Sequence, residues 1–118
     1  MSKISEEVHA VVLETFPHNL MIKEHYVRYK GQKLFFDFFI KDLGILIEVQ
    51  GEQHVHFVSH FHGDKSNFLE QKKRDSLKIE YIETQPTLCL TRFYYNEEIT
   101  QELIMTKIQK AMECGFYE

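Results

Sequence analysis

The tightest constraint on this chain is the stretch KLFFDFFIKDLGILIEVQ, residues 33–50. Two strand-like runs, 33–40 and 45–50, flank Lys41-Asp42-Leu43-Gly44, a connection short enough for a β-hairpin. Both runs read as strands of a mixed central sheet flanked by helices. Each nevertheless holds a carboxylate: Asp37 lies among phenylalanines, and Glu48 among isoleucines and a valine. Stepping symmetrically outward from Ile40 and Ile45 sets Asp37 opposite Glu48, with Phe35, Phe39 and Leu46 on the same face and Gln50 across from Phe35. Facing Cβ atoms on antiparallel strands are ~5 Å apart. Two negative charges ~4 Å apart in a dielectric near 20 repel by about 4 kcal/mol. A shared proton or a divalent cation offsets that cost; a solvated sheet edge or a lysine partner is the plainer alternative. Two carboxylates, completed by a backbone carbonyl and waters, suit Mg²⁺ or Mn²⁺ better than zinc. A three-residue loop with a bulge at Gly44 would move the acids from facing to diagonal, still able to share an ion.

The rest of the chain supplies the covering layers. Ile4, Val8, Val11, Val12 and Thr15 recur at helical spacing over 2–15, with Ser2 and Ser5 as caps. Residues 20–31 alternate as a partly exposed strand ending in Gly31. After Gly51 comes EQHVHFVSHFHGDK, a loop with four of the seven histidines. A helix with one basic face is predicted from Ser66 to about Glu83, a buried strand over 86–93, and a last helix capped by Asn96 that carries Ile99, Leu103, Ile104, Ile108 and Met112. The order is helix, three strands, helix, strand, helix. It predicts an α/β fold in one domain, 1–118, whose 43% hydrophobic content is enough for a core without staples.

Composition narrows the function classes. Two isolated cysteines offer neither a disulfide framework nor a CxxC knuckle, which points to a reducing, cytoplasmic compartment. No apolar run has the length of a membrane span, and MSKISEEVHAVV lacks the blocks of a signal peptide. A net charge of -4 argues against nonspecific coating of nucleic acid. It leaves room for local basic clusters, one of Lys72, Lys73, Arg74 and Lys78 and another of Arg28, Lys30 and Lys33.

Phe36-Asp37, ten intervening residues, then Glu48-Val49-Gln50 resembles the core motif of the PD-(D/E)XK nuclease superfamily, and the element order matches its restriction-endonuclease-like αβββαβ core. ILIEVQGEQH (45–54), a histidine-bearing loop and Gln71-x-x-x-Asp75-x-x-Lys78 are similar to small phage and bacterial endonuclease domains related to very-short-patch-repair endonucleases. The likeness spans about residues 4–95. It implies a metal-dependent DNA endonuclease in the cytoplasm of a bacterial or phage-infected cell. It further implies that Asp37, Glu48 and the Val49 carbonyl bind Mg²⁺ or Mn²⁺, with Glu7, or less readily Glu6, behind the site. Two departures stand out. Phe36 replaces the proline of the motif, and Gln50 replaces its lysine: as a catalytic candidate Gln50 can hydrogen-bond the attacking water but supplies no positive charge, a replacement that some members tolerate and others offset with a lysine from the next helix. Lys78 and Lys73 on the following helix are candidates, and His54 occupies the place of a catalytic histidine.

Gln71, Asp75 and Lys78, spaced i, i+4 and i+7, share one helix face. That face either points at the site or is solvated. Gln53, Lys72, Lys73 and Arg74 are the expected DNA contacts, and one site per chain would nick DNA unless a homodimer forms. Two other readings remain open: a catalytically inactive nucleic-acid-binding or regulatory module, and an interaction domain with zinc held by His56, His60 and His62.

Overall fold

The computed structural model describes residues 2–51 and 65–118. Helix α1 (Lys3–Thr15) is followed by strands β1 (Met21–Tyr29) and β2 (Gln32–Ile40), a 3-10 turn (Lys41–Leu43) and β3 (Ile45–Gln50). Helix α2 (Lys65–Glu83), β4 (Cys89–Tyr94), α3 (Gln101–Cys114) and a short β5 (Phe116–Tyr117) complete the chain. The five strands form one mixed sheet in the order β1-β2-β3-β4-β5. The first three are antiparallel neighbours, whereas β3/β4 and β4/β5 are parallel.

All six residues of β3 are buried, Glu48 and Gln50 included. Ile45, Ile47 and Val49 join Val8 and Val12 of α1 and Ile104, Ile108 and Ala111 of α3 on one face. Leu46 joins Leu34, Phe36, Leu90 and Ile82 of α2 on the other. The chain is therefore a three-layer α/β sandwich with α2 alone on the second face among the described residues. No described helix is long and apolar enough to cross a membrane.

Both hairpins follow turn chemistry. Lys30 (φ 49°) and Gly31 (φ 74°) form the two-residue loop between β1 and β2, with positive φ at both positions. Gly44 is left-handed (φ 69°), and a Cβ there would lie 2.3 Å from the Thr87 carbonyl oxygen. Three residues do fill the loop before Gly44, yet the rungs Ile40–Ile45, Phe39–Leu46 and Phe38–Ile47 keep the facing register.

Three features depart from the sequence reading. The last helix begins later: Thr100 caps it by accepting from the Leu103 amide at 3.1 Å, while Asn96 lies in the preceding turn. Strand β5 follows Gly115 (φ 88°) at the end of α3; two residues are too few for any periodicity to announce it. The third departure concerns sidedness. Phe38 and Ile40 face α1 and α3, but Phe36 and Leu34, of the same parity, face α2. The β1/β2 ladder skips Glu24 and Asp37, and Glu24 takes φ 53°, so both strands exchange faces at that rung. Phe35, expected beside the acids, is consequently 52% exposed, while Phe36 is fully buried in its place.

Candidate active site

Glu48 is built into the centre of β3 and aims at α2. It is 3% exposed, and three partners converge on it. Lys78 brings its ammonium to 3.1 Å from Oε1, an approach oblique enough that Oε1 keeps no well-formed hydrogen bond among the described residues. Gln50 donates Nε2–H to Oε2 at 3.1 Å. Arg92, the β4 rung partner of Glu48, holds Nε 3.7 Å from Oε2 and donates from Nη2 to the Asp75 carbonyl at 3.0 Å. Burial pushes the Glu48 pKa above the usual carboxylate range. Lys78 and Arg92 oppose that rise, and the Asp75 charge adds to it.

Asp37 stands one step past the last β2/β3 rung, Phe38–Ile47, where the register sets it across from Glu48. Its Oδ2 accepts from the Val49 amide at 2.7 Å. The carboxylate thus satisfies a strand N–H at the point where paired rungs end. From Gly44 through β3 the even-numbered positions serve β4 and the turn after it: the Gly44 and Gln50 carbonyls accept from Cys89 and Tyr95. Alternation therefore turns both the N–H and the C=O of Val49 toward β2 and Asp37.

These groups fit a hard divalent cation. Glu48 Oε1 is a buried oxygen without a good donor, the Val49 carbonyl is turned toward Asp37, and carboxylate and carbonyl oxygens are the ligands such ions take. The protein ligands would be two carboxylates and one carbonyl; among the described residues no cluster of three or more His, Cys, Asp and Glu side chains stands ready as a cage.

Around this centre α2 distributes its charges by face. Asp75 is buried and Lys78 nearly so, with its ammonium 5.4 Å from the Phe36 ring centre, so the face they share points at the sheet. Gln71 on the same face is half-buried. Lys72, Lys73 and Arg74 are exposed. Lys72 lines a cavity of about 310 Å³ with Gln50, Asp75 and Arg92. Arg74 lines another of about 400 Å³ with Lys78, Lys33 and Phe35. Glu6 and Glu7 are exposed on α1, whose buried side packs on the sheet face opposite α2. Gln53, His54, His56, His60 and His62 lie outside the described residues.

Two participants went unnoticed in the sequence. Arg92 sits inside the apolar run PTLCLTRF, an anomaly of the same kind that exposed Asp37 and Glu48. Lys107, on the apolar side of α3, is 4% exposed. It donates to the Arg92 carbonyl at 2.6 Å and to Glu97 Oε1 at 2.7 Å, fixing the strand that carries Arg92 from the opposite face. In comparisons with known proteins, no family model, no curated protein and no solved structure matches the chain.

Proposed function

We propose that this chain is a metal-dependent DNA endonuclease with a restriction-endonuclease-like core of the PD-(D/E)XK type. The observation that carries the reading is the convergence on buried Glu48 of Lys78 from the following helix, at the place where β2 presents Asp37. The residues that would hold Mg²⁺ or Mn²⁺ are Asp37, Glu48 and the Val49 carbonyl. Such an ion, when bound, supplies charge neutralisation at the phosphate and a more acidic water.

The chain's own groups provide the rest. Lys78 supplies, from α2, the positive charge that Gln50 lacks, and its ammonium neighbours both Glu48 and the 400 Å³ recess. Gln50 orients Glu48 through the Nε2–Oε2 hydrogen bond. Asp75 anchors Arg92 through its carbonyl, which holds a second cation beside the same carboxylate. Lys72, Lys73 and Arg74 contact backbone phosphates and set affinity and salt dependence rather than sequence choice. His54 and Gln53 keep their roles as candidate base and DNA contact. One such site cuts one strand, so the monomer nicks and a homodimer breaks both strands.

The test is cleavage of supercoiled plasmid with Mg²⁺ or Mn²⁺, set beside calorimetric titration of Mn²⁺ into the protein. Asp37→Asn keeps an acceptor for the Val49 amide but loses the charge. It should lower cleavage by at least about 100-fold, a loss of some 2.7 kcal/mol of transition-state stabilisation, and weaken Mn²⁺ binding while melting like the parent. Unchanged cleavage in that variant would remove the site. A second reading, a nucleic-acid-binding module without catalysis, is favoured by one observation: Lys78 and Arg92 already offset the Glu48 charge. It predicts binding with neither metal supporting cleavage.

A further inference from the structure

The exchange of faces at Glu24 and Asp37 leaves the outer half of the β1/β2 ribbon with an unusual exposed surface. Tyr26 and Phe35 form one rung, 51% and 52% exposed, with ring centres 5.7 Å apart. The next rung on the same face is Arg28 opposite Lys33. Large aromatic rings on open surface forgo the burial that usually justifies them. Like charges facing across a strand pair destabilise the sheet. Neither cation has a carboxylate within ion-pair distance among the described residues. An aromatic rung beside a repulsive cationic rung is costly in isolation, and both costs are relieved by one kind of occupant: a flat ring attached to an anion.

The surface also leads somewhere. Lys33 holds its ammonium 4.2 Å from the Tyr26 ring centre and 5.4 Å from that of Phe35. The same residue lines the recess of about 400 Å³ shared with Phe35, Arg74 and Lys78. Lys78 in turn reaches Glu48. Rings, cations and buried acid thus form a continuous track from the ribbon to the carboxylates.

We infer that the Tyr26–Phe35 rung is a stacking platform for an unpaired nucleobase, with Arg28, Lys33 and Arg74 holding the adjoining phosphates, so that the chain prefers a single-stranded or flayed DNA segment over intact duplex. This rests on the nucleic-acid reading above and adds the form of the substrate. Bases inside a duplex keep their faces covered, whereas an unpaired base can lie on an aromatic side chain regardless of its identity. On occupancy the base takes the ring face that Lys33 now covers, and the Lys33 ammonium turns to the phosphate.

The experiment uses the full chain in metal-free buffer with chelator, so that binding is measured apart from cleavage. The probes are a fluorescent oligothymidylate and a duplex of equal length. Phe35→Ala and Tyr26→Ala should each weaken oligothymidylate binding by roughly 5- to 150-fold, the range of one lost base stack, and leave duplex binding within about twofold. Phe35→Trp should restore binding, and because the chain has no other Trp, its emission should be quenched as oligothymidylate is added. Equal losses on both probes, unchanged affinity in the alanine variants, or no quenching would overturn the platform. A chain that stacks oligothymidylate but never cleaves sinks the nuclease reading alone; one that cleaves with alanine variants of unchanged affinity sinks the platform alone.

Discussion

Glu48 shows how much one buried side chain can be made to carry. With Lys78, Arg92 and Gln50 around it, removing the carboxylate leaves two cations in a region of low dielectric. Glu48→Ala should therefore cost about 3–5 kcal/mol of stability, and its inactivity would not by itself identify a ligand. Glu48→Gln keeps the shape and is the better probe of charge. Because burial raises the folded-state pKa of Glu48, the folded protein binds more protons than the unfolded chain above the ordinary carboxylate value of 4.5. This group's contribution to stability is thus complete below that value and is lost as pH rises through the raised pKa. Urea titrations across pH 4–8 should show the parent losing stability relative to Glu48→Gln as pH climbs; parallel curves would show that Lys78 and Arg92 cancel the desolvation. The acid pair itself was legible because charges are rare in apolar strands. Arg92 carried the same signal. Lys107 did not, since a lysine on an amphipathic helix normally extends its head to water.

At the scale of elements, the β2/β3 hairpin was legible down to its register. Two apolar runs, a four-residue connection and a glycine at its end leave few ways to bury both strands. Gly44 meets two demands at once, a left-handed backbone and an approach to Thr87 that leaves no space for a Cβ. Gly44→Ala should accordingly cost about 2–4 kcal/mol, readable as a lower urea midpoint, whereas Gly31→Ala, with open space around it, should cost only the smaller strain of its positive φ. The exchange of sides at Glu24 was not legible. It depends on a positive φ in a residue other than glycine, which no side-chain pattern announces. Parity counted along β2 therefore placed Phe39 correctly against the α2 core and misplaced Phe35.

Across the whole molecule, a core on each sheet face makes the middle strands the last to open. The two thiols report on that directly. Cys89, at the start of β4, is buried, and burial pushes its pKa up to about 11, whereas Cys114 at the end of α3 is exposed. Alkylation of the native protein at neutral pH should modify Cys114 alone, with Cys89 following only in denaturant. Mass spectrometry showing both thiols modified at equal rates in native buffer would mean that β4 opens independently.

The crook shared by β1 and β2 has a further consequence for how this ribbon can change. Every residue beyond it owes its sidedness to a single turn of backbone. Inserting one amino acid into β1 just outside that point would draw Tyr26 inward, and the same change in β2 would draw Phe35 inward and cast Leu34 and Phe36 into water. Two-residue insertions would lengthen the arm without reversing it, so natural or engineered variants of this ribbon should differ in size by even steps.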